Sequence, residues 1–167
     1  MSCMARRGGR PPLGRKRTLF RIRLEAEVHA ALQTQADRAG FPTGTYMERV
    51  IALAHNFESP FLPPPVEPLP VAVDVDELQA HVASLTVEDC SPPRASDLKI
   101  PLFRIDEALG ERIYDWCDEQ DVPYSSYVRS ILRLAAGYRS IDDLVPDHVQ
   151  GELLDVSSYR GERAKAS

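Results

Sequence analysis

The spacing of hydrophobic residues along the chain changes in the same order within two separate stretches. In the first stretch, Phe20, Ile22 and Leu24 stand at every second position, which is the period of a half-buried β-strand. A period near 3.6 then follows in two runs, separated by a turn that contains Pro42. The pattern predicts a strand, a helix, a turn and a second helix over residues 18–57.

The second stretch, residues 99–138, repeats this pattern in register. A shift of 81 residues aligns it with residues 18–57 without a gap. Apolar residues keep the same positions through the strand and both helices, which indicates an internal duplication. The identical pairs are Arg23/Arg104, Asp37/Asp118, Pro42/Pro123, Tyr46/Tyr127, Leu53/Leu134 and Ala54/Ala135.

The two copies differ in residues that shape the ends of their elements. Pro101 interrupts the second strand and has no N–H to donate, so we expect it at an edge. Gly40 follows the first helix as a favourable C-terminal stop, whereas Asp121 stands there in the second copy and is a poorer stop. Acidic residues, including Glu25 and Asp106, mark the start of both first helices, where the helix dipole favours negative charge.

Three further segments complete the chain. Residues 1–17 are predicted to form a disordered basic arm, and residues 139–167 an acidic tail that is partly disordered. Residues 58–98 contain eight prolines and eight acids, with Arg94 as their single base. This composition predicts a semi-extended acidic linker, interrupted by a short helix over Val75–Leu85.

Each copy is too short to bury its own apolar face. A unit of about 40 residues lacks a sufficient core, and a single strand is an unpaired edge. Pairing the two strands over four helices solves both problems, and predicts a mainly α fold with a two-stranded antiparallel ribbon. The 41 linker residues span roughly 35 Å, which allows pairing within one chain. Exchange of copies between two chains stays open.

This layout resembles the ribbon-helix-helix family of the MetJ, Arc and CopG repressors. The first copy carries the resemblance in the segments 20–24, 40–43 and 46–53, and the second in 104–106, 122–127 and 128–134. The resemblance implies a tandem pseudo-dimer that binds double-stranded DNA, with the ribbon in the major groove.

The resemblance also implies which residues meet the DNA. The outer face of the ribbon would contact base edges, and the first turns of the second helices would hold phosphates. The implied base-contacting residues are Leu19, Arg21, Arg23, Ile100, Leu102 and Arg104. The implied phosphate-contacting residues are Thr43, Thr45, Ser125 and Ser126, whose hydroxyls are also candidate helix caps.

Arginine suits base reading because it can donate two hydrogen bonds to guanine, whereas leucine and isoleucine can contact only apolar groups such as a thymine methyl. Ile100 and Leu102 therefore predict that copy two mainly supports copy one and that Arg104 matters less than Arg21 and Arg23. The expected DNA site is asymmetric rather than palindromic.

The charge distribution agrees with a nucleic-acid ligand, although the formal net charge is −5. Residues 1–24 contain eight basic residues and no acid, whereas the other 143 residues carry a net −13. A concentrated basic arm neutralises phosphates and releases counterions. Residues 7–12 are similar to AT-hook segments of the minor groove, with one glycine inserted. The basic residues of the arm are Arg6, Arg7, Arg10, Arg15, Lys16 and Arg17.

Other function classes find less support in the sequence. The histidines fall in four different segments, without the spacing of a triad or metal site, and no phosphate-loop or dinucleotide motif is present, so no enzyme, metal or cofactor is expected. Cys3, Cys90 and Cys117 are too far apart to indicate a disulfide framework. No apolar run is long enough to span a membrane, and a cytoplasmic, nucleoid-associated protein is expected.

The biological role stays open between three uses of the same fold. A bacterial transcriptional repressor is the first, and a plasmid-transfer accessory protein is the second. The third is an antitoxin-type adaptor that binds a protein through its acidic tail, at Asp142, Asp143, Asp147, Glu152 and Asp155. A second copy of the chain on the same DNA is a further candidate partner.

Overall fold

The computed structural model describes residues 17–59, 62, 68–93 and 97–139. This part of the chain is mainly helical with a small antiparallel ribbon, as the sequence predicts. The first half contains β1 (Arg17–Arg21), β2 (Leu24–Glu25), α1 (Ala26–Ala39) and α2 (Thr43–Ala54). A third helix, α3 (Val75–Ala83), and a 3-10 turn (Val87–Asp89) follow. The second half contains β3 (Leu98–Lys99), β4 (Leu102–Asp106), α4 (Glu107–Gln120) and α5 (Tyr124–Ala135).

The strands of the two halves pair with each other in one continuous register. β1 pairs antiparallel with β4, and β2 with β3. Arg21 lies opposite Leu102, and Leu24 lies opposite Lys99, three residues further along both strands. The ladder breaks at Pro101, which has no N–H, although the Ile22 N–H still donates to the Pro101 carbonyl at 3.4 Å. The predicted edge character of Pro101 is confirmed.

One face of the ribbon closes the hydrophobic core. Phe20, Ile22, Leu24, Phe103 and Ile105 are buried over the four long helices, as the alternation of the sequence requires. The Phe20 ring packs edge-on against Phe103 at a centroid distance of 5.9 Å. The core below them includes Val28, Leu32, Tyr46, Val50, Ile51, Leu109, Ile113, Tyr127, Val128, Ile131 and Leu132.

The first helices of both halves end in the same way. Gly40 has φ 73° and Asp121 has φ 54°, so both stand in the left-handed conformation that closes a helix. Asp121 ends α4 in this conformation although it carries a Cβ, because its short polar side chain tolerates it at a cost. That Asp121 is the poorer stop in free energy stays a prediction. At the other end of α4, the Asp106 carboxylate accepts a hydrogen bond of 2.9 Å from the Ala108 N–H.

The second helices begin directly after the turn prolines. Pro42 and Pro123 occupy the N-cap positions, and neither cap has a side-chain hydrogen bond. The expected capping by the hydroxyls of these turns is therefore wrong, because those hydroxyls lie inside the first turn. Buried tyrosines anchor both helices: the Tyr46 hydroxyl lies 2.6 Å from Gln35 Oε1, and the Tyr127 hydroxyl lies 2.8 Å from His55 Nε2.

Part of the predicted linker is packed on the helices. The predicted helix over 75–85 is found as α3, whose Leu78 is fully buried. The Gln79 amide donates to the Leu53 carbonyl at 3.1 Å, and the Ala72 N–H donates to the Ala135 carbonyl at 3.1 Å. The semi-extended linker of the prediction is thus replaced, over residues 68–93, by a segment that closes the far side of α2 and α5.

The acidic tail lies outside the described residues, apart from Arg139. Its guanidinium forms an exposed ion pair with Glu77 of α3 at 2.9 Å. Within the described ranges, no helix is both long and apolar enough to cross a membrane.

Candidate nucleic-acid interface

The six residues predicted to contact base edges share one exposed face of the ribbon, which we call the outer face. Each of them is exposed, whereas the alternate positions include the buried residues Phe20, Ile22, Leu24, Phe103 and Ile105. The aliphatic members are large hydrophobic side chains with high exposure: Leu19 at 49%, Ile100 at 54% and Leu102 at 52%. Exposed leucine and isoleucine side chains grouped on one face are a common feature of contact surfaces.

The strand register arranges the outer face in three cross-strand rows. Leu19 lies opposite Arg104, and Arg21 lies opposite Leu102. The unbroken register sets Arg23 opposite Ile100, between the pairs Arg21–Leu102 and Leu24–Lys99. Every row therefore combines one guanidinium group with one aliphatic side chain.

This arrangement changes the prediction that copy two mainly supports copy one. The 81-residue shift relates Arg23 to Arg104 and Leu19 to Ile100, so the first and third rows are equivalent. The strand of copy two has two aliphatic residues and one arginine on the outer face, and that arginine belongs to one of the two outer rows. The asymmetry is confined to the middle row.

The first turns of the second helices lie against the opposite strands. A Cβ atom on Gly44 in α2 would lie 3.3 Å from the Leu102 carbonyl oxygen, so a larger residue there would require a shift of a few tenths of an ångström. In α5, Ser125 Oγ accepts from the Arg23 N–H at 3.5 Å, and the Tyr124 hydroxyl donates to the Arg21 carbonyl at 3.3 Å. Both helix N-termini thus stand beside the ribbon.

The predicted phosphate-contacting hydroxyls have different surroundings in the two halves. Thr43 and Thr45 are half-buried in the first turn of α2. Ser125 and Ser126 accept hydrogen bonds from Arg129 at 3.1 and 3.3 Å, and Ser126 is buried. The hydroxyl of Ser126 therefore faces the protein interior, and its predicted contact with a phosphate is corrected to a structural role.

Two guanidinium groups donate hydrogen bonds to backbone carbonyls at equivalent positions of the two copies. Arg129 Nε donates to the Arg23 carbonyl at 2.7 Å, and Arg17 donates to the Arg104 carbonyl at 3.2 Å. Arg17 is paired with Glu48, which occupies in α2 the position that Arg129 occupies in α5. Burial, and then the nearby Arg133, lower the pKa of Arg129 to about 10, so it stays protonated at neutral pH.

Arg17 therefore belongs to the fold and not to the predicted arm. It begins β1, and its ion pair with the buried Glu48 fixes the end of the strand. Burial raises the pKa of Glu48, while the Arg17 guanidinium opposes that shift. The other five basic residues of the arm lie outside the described residues.

A buried ion pair that sequence reasoning missed joins the halves. Glu25 was expected to interact with the dipole of α1; instead it is 2% exposed and pairs with Arg133 of α5, which is 6% exposed. Arg133 also donates to Ser91 Oγ at 2.8 Å and to the Pro92 carbonyl at 3.0 Å. The sequence did contain a signal for buried charges, because Arg129 and Arg133 stand one turn apart among the apolar residues of α5.

Comparison of the chain with family models, with curated proteins and with solved structures gave no match. The described residues contain no group of three or more potential metal ligands.

Proposed function

We propose that this chain is a single-chain ribbon-helix-helix pseudo-dimer that binds double-stranded DNA sequence-specifically and regulates transcription. One observation carries the proposal: the six residues predicted to read bases form a single exposed face, with an arginine in each of its three rows. Arginine can donate two hydrogen bonds to guanine, and the neighbouring aliphatic side chain can contact a thymine methyl. The proposed activity is binding, not catalysis.

The dimensions of the ribbon support this use. A two-stranded antiparallel ribbon fits the major groove, which is about 12 Å wide. Successive rows lie about 7 Å apart, because each strand residue advances roughly 3.4 Å. The first and third rows are therefore about 14 Å apart, which corresponds to about four base-pair steps of roughly 3.4 Å.

The second helices support the proposal at the sides of the ribbon. The first-turn N–H groups of a helix have no intrahelical acceptor and favour anions. The amides of Thr43, Gly44 and Thr45 in α2 lie beside β4, and those of α5 lie beside β1. We propose that these amides, rather than the hydroxyls of Ser125 and Ser126, hold the flanking phosphates.

The basic arm extends this binding surface. The arm is joined in the sequence to Arg17, the first residue of β1, so it is connected to one end of the ribbon. Arginine and lysine there would neutralise phosphates or enter the minor groove. We expect their contribution to weaken steeply as the salt concentration rises. A role in plasmid transfer would use the same surface, whereas an antitoxin-type adaptor would bind its protein partner through the acidic tail.

Selection of bound duplexes from a random library, at a fixed salt concentration, tests the proposal. Wild-type protein should enrich a defined sequence, and the double variant Arg21→Ala/Arg23→Ala should lose that preference because two guanine-contacting groups are removed. Enrichment of the same sequence by both proteins would overturn the assignment of the ribbon.

A matched control separates base reading from loss of charge. Arg38 in α1 and Arg112 in α4 are exposed and lie off the ribbon, so Arg38→Ala/Arg112→Ala removes the same charge elsewhere. This control should select the wild-type sequence. Loss of selection in the control as well would mean that total charge, and not the outer face, decides binding.

A further inference from the structure

The middle row of the outer face has a special position in the repeat. The shift of 81 residues relates Arg21 to Leu102, and the register pairs these same two residues. The axis that relates the two halves therefore passes through this pair. The first and third rows exchange under that relation and have equivalent chemistry, whereas the middle row has a guanidinium on one strand and an aliphatic side chain on the other.

We propose that the Arg21–Leu102 pair sets the direction in which the protein lies on its DNA. This inference rests on the DNA-binding function proposed above. The outer rows address two equivalent half-sites arranged as an inverted repeat, and they fit equally well in either orientation. The middle row fits well in one orientation only, with Arg21 towards a guanine and Leu102 towards a thymine methyl. The ligand is thus a near-palindrome with a directional centre.

The geometry of the middle row supports a discriminating contact. Each member is held by the second helix of the other half: α2 packs at Gly44 against the Leu102 carbonyl, and the Tyr124 hydroxyl of α5 donates to the Arg21 carbonyl. Leu102 is 52% exposed, and Arg21 is also exposed. Because the backbone is held in this way, both side chains stay at a fixed distance from the DNA. If the protein bound in the opposite orientation, the ribbon could not move to restore good contacts for Arg21 and Leu102.

Cleavage from a tethered probe measures the orientation directly. An iron chelate is attached at Lys99→Cys, an exposed position near one end of the ribbon, in protein whose Cys3 and Cys90 are changed to serine. The duplex is the selected site, with exact inverted-repeat halves and a centre that is not self-complementary. Wild-type protein should cut one end at least about fivefold more than the other, which corresponds to the lower limit for discrimination by one good base contact. Inverting the centre should move the cuts to the other end.

Two variants remove the asymmetry of the middle row in opposite ways. Leu102→Arg makes both members cationic, and Arg21→Leu makes both aliphatic, so in each case the two orientations become equivalent. Both should bind the duplex more weakly or with altered affinity, and at protein concentrations that saturate the duplex both should cut its two ends equally. The second variant avoids the repulsion between neighbouring arginines that burdens the first. Val87→Arg adds the same charge at an exposed aliphatic residue in the 3-10 turn and should keep the wild-type cutting pattern.

The basic arm is the competing source of direction, because only the first copy carries it. Deletion of residues 1–16 should leave the one-sided cutting intact. One-sided cutting that disappears with the arm, or that persists in both middle-row variants, would overturn the proposal. Equal cutting by wild-type protein that still prefers the selected sequence would overturn it and leave the proposed function standing. Binding without any sequence preference would overturn both.

Discussion

Arg129 Nε donates a hydrogen bond of 2.7 Å to the carbonyl oxygen of Arg23, which joins α5 to the strand that carries an outer-face arginine. The same guanidinium donates to the Ser91 carbonyl at 2.9 Å, and the residue is 2% exposed. Arg129 therefore ties together the ribbon, the second helix and the segment before β3. The interior thus contributes to the position of a side chain that faces outward.

Replacing Arg129 by methionine should lower the free energy of unfolding by about 2 kcal/mol. The partly buried carbonyl groups of Arg23 and Ser91 would lose a donor, and methionine offers none in return. Urea denaturation measures the change. Arg112→Met is the control, because Arg112 is exposed and should change the stability by less than about 0.5 kcal/mol. Equal losses in both variants would contradict the supporting role of Arg129.

Exchanging the residue types that end α1 and α4 should change the stability of the protein in opposite directions. Gly40→Asp should destabilise the protein by about 1 kcal/mol, since a side chain costs about that much in the left-handed conformation. An added Cβ at Gly40 would meet no atom within 4 Å, so the cost is one of backbone conformation alone. Asp121→Gly should stabilise by up to a similar amount. Thermal unfolding measures both, and a neutral Gly40→Asp variant would contradict the assignment.

His55 should make the protein less stable as the pH falls below neutrality. Burial, and to a smaller extent Arg112, lower its pKa in the folded state, where its ring lies 2.8 Å from the Tyr127 hydroxyl and 2.7 Å from the Ile51 carbonyl. The unfolded chain then binds more protons from the ordinary histidine pKa near 6.5 downwards, so the free energy of unfolding falls with the pH in that range.

Comparison of the wild type with His55→Gln isolates this contribution. Glu48 acts in the opposite direction, because burial raises its pKa and the folded state then holds the extra proton. Glu48 is present in both proteins, as are His29 and His81, so the difference in slope belongs to His55. Denaturation between pH 7 and pH 5 should give a steeper loss of stability in the wild type. Parallel slopes would contradict the burial of a neutral His55.

Features with a short period were predictable from the sequence. The alternation at Phe20, Ile22 and Leu24 predicts which face of the ribbon is buried, because side chains on a strand alternate between its two faces. The 3.6 period predicts the helices, and Pro101 predicts the break in the ladder. These inferences need only neighbouring residues, and the structure agrees with them.

Features that depend on distant partners were not predictable. Arg17 is one more basic residue after the basic arm, and its partners Glu48 and Arg104 are 31 and 87 residues away. Glu25 has a reasonable role at the start of a helix, and only Arg133, 108 residues away, explains its burial. Ionic side chains are buried when a partner compensates them, and sequence spacing does not identify that partner.

The outer face required both kinds of information. The sequence placed all six residues on one side of their strands, but it could not combine them into rows without the register. Once Leu19 lies opposite Arg104, the second copy contributes an arginine of its own outer row. The helix in the linker was predicted, but its packing on α2 and α5 was not, because the partners of Leu78 lie far from it in the sequence.

The most direct measurement compares the dissociation constants of a scrambled duplex and the selected duplex at one salt concentration. The ratio of the two constants is determined for wild-type protein and for the double variant Arg23→Ala/Arg104→Ala. Each arginine belongs to an equivalent outer row, and each guanine contact is worth about 1–3 kcal/mol of discrimination. The ratio should therefore fall by at least about 30-fold, mainly through weaker binding of the selected duplex. An equal loss of affinity for both duplexes, with the ratio unchanged, would mean that these arginines contact only phosphates and would contradict base reading by the ribbon.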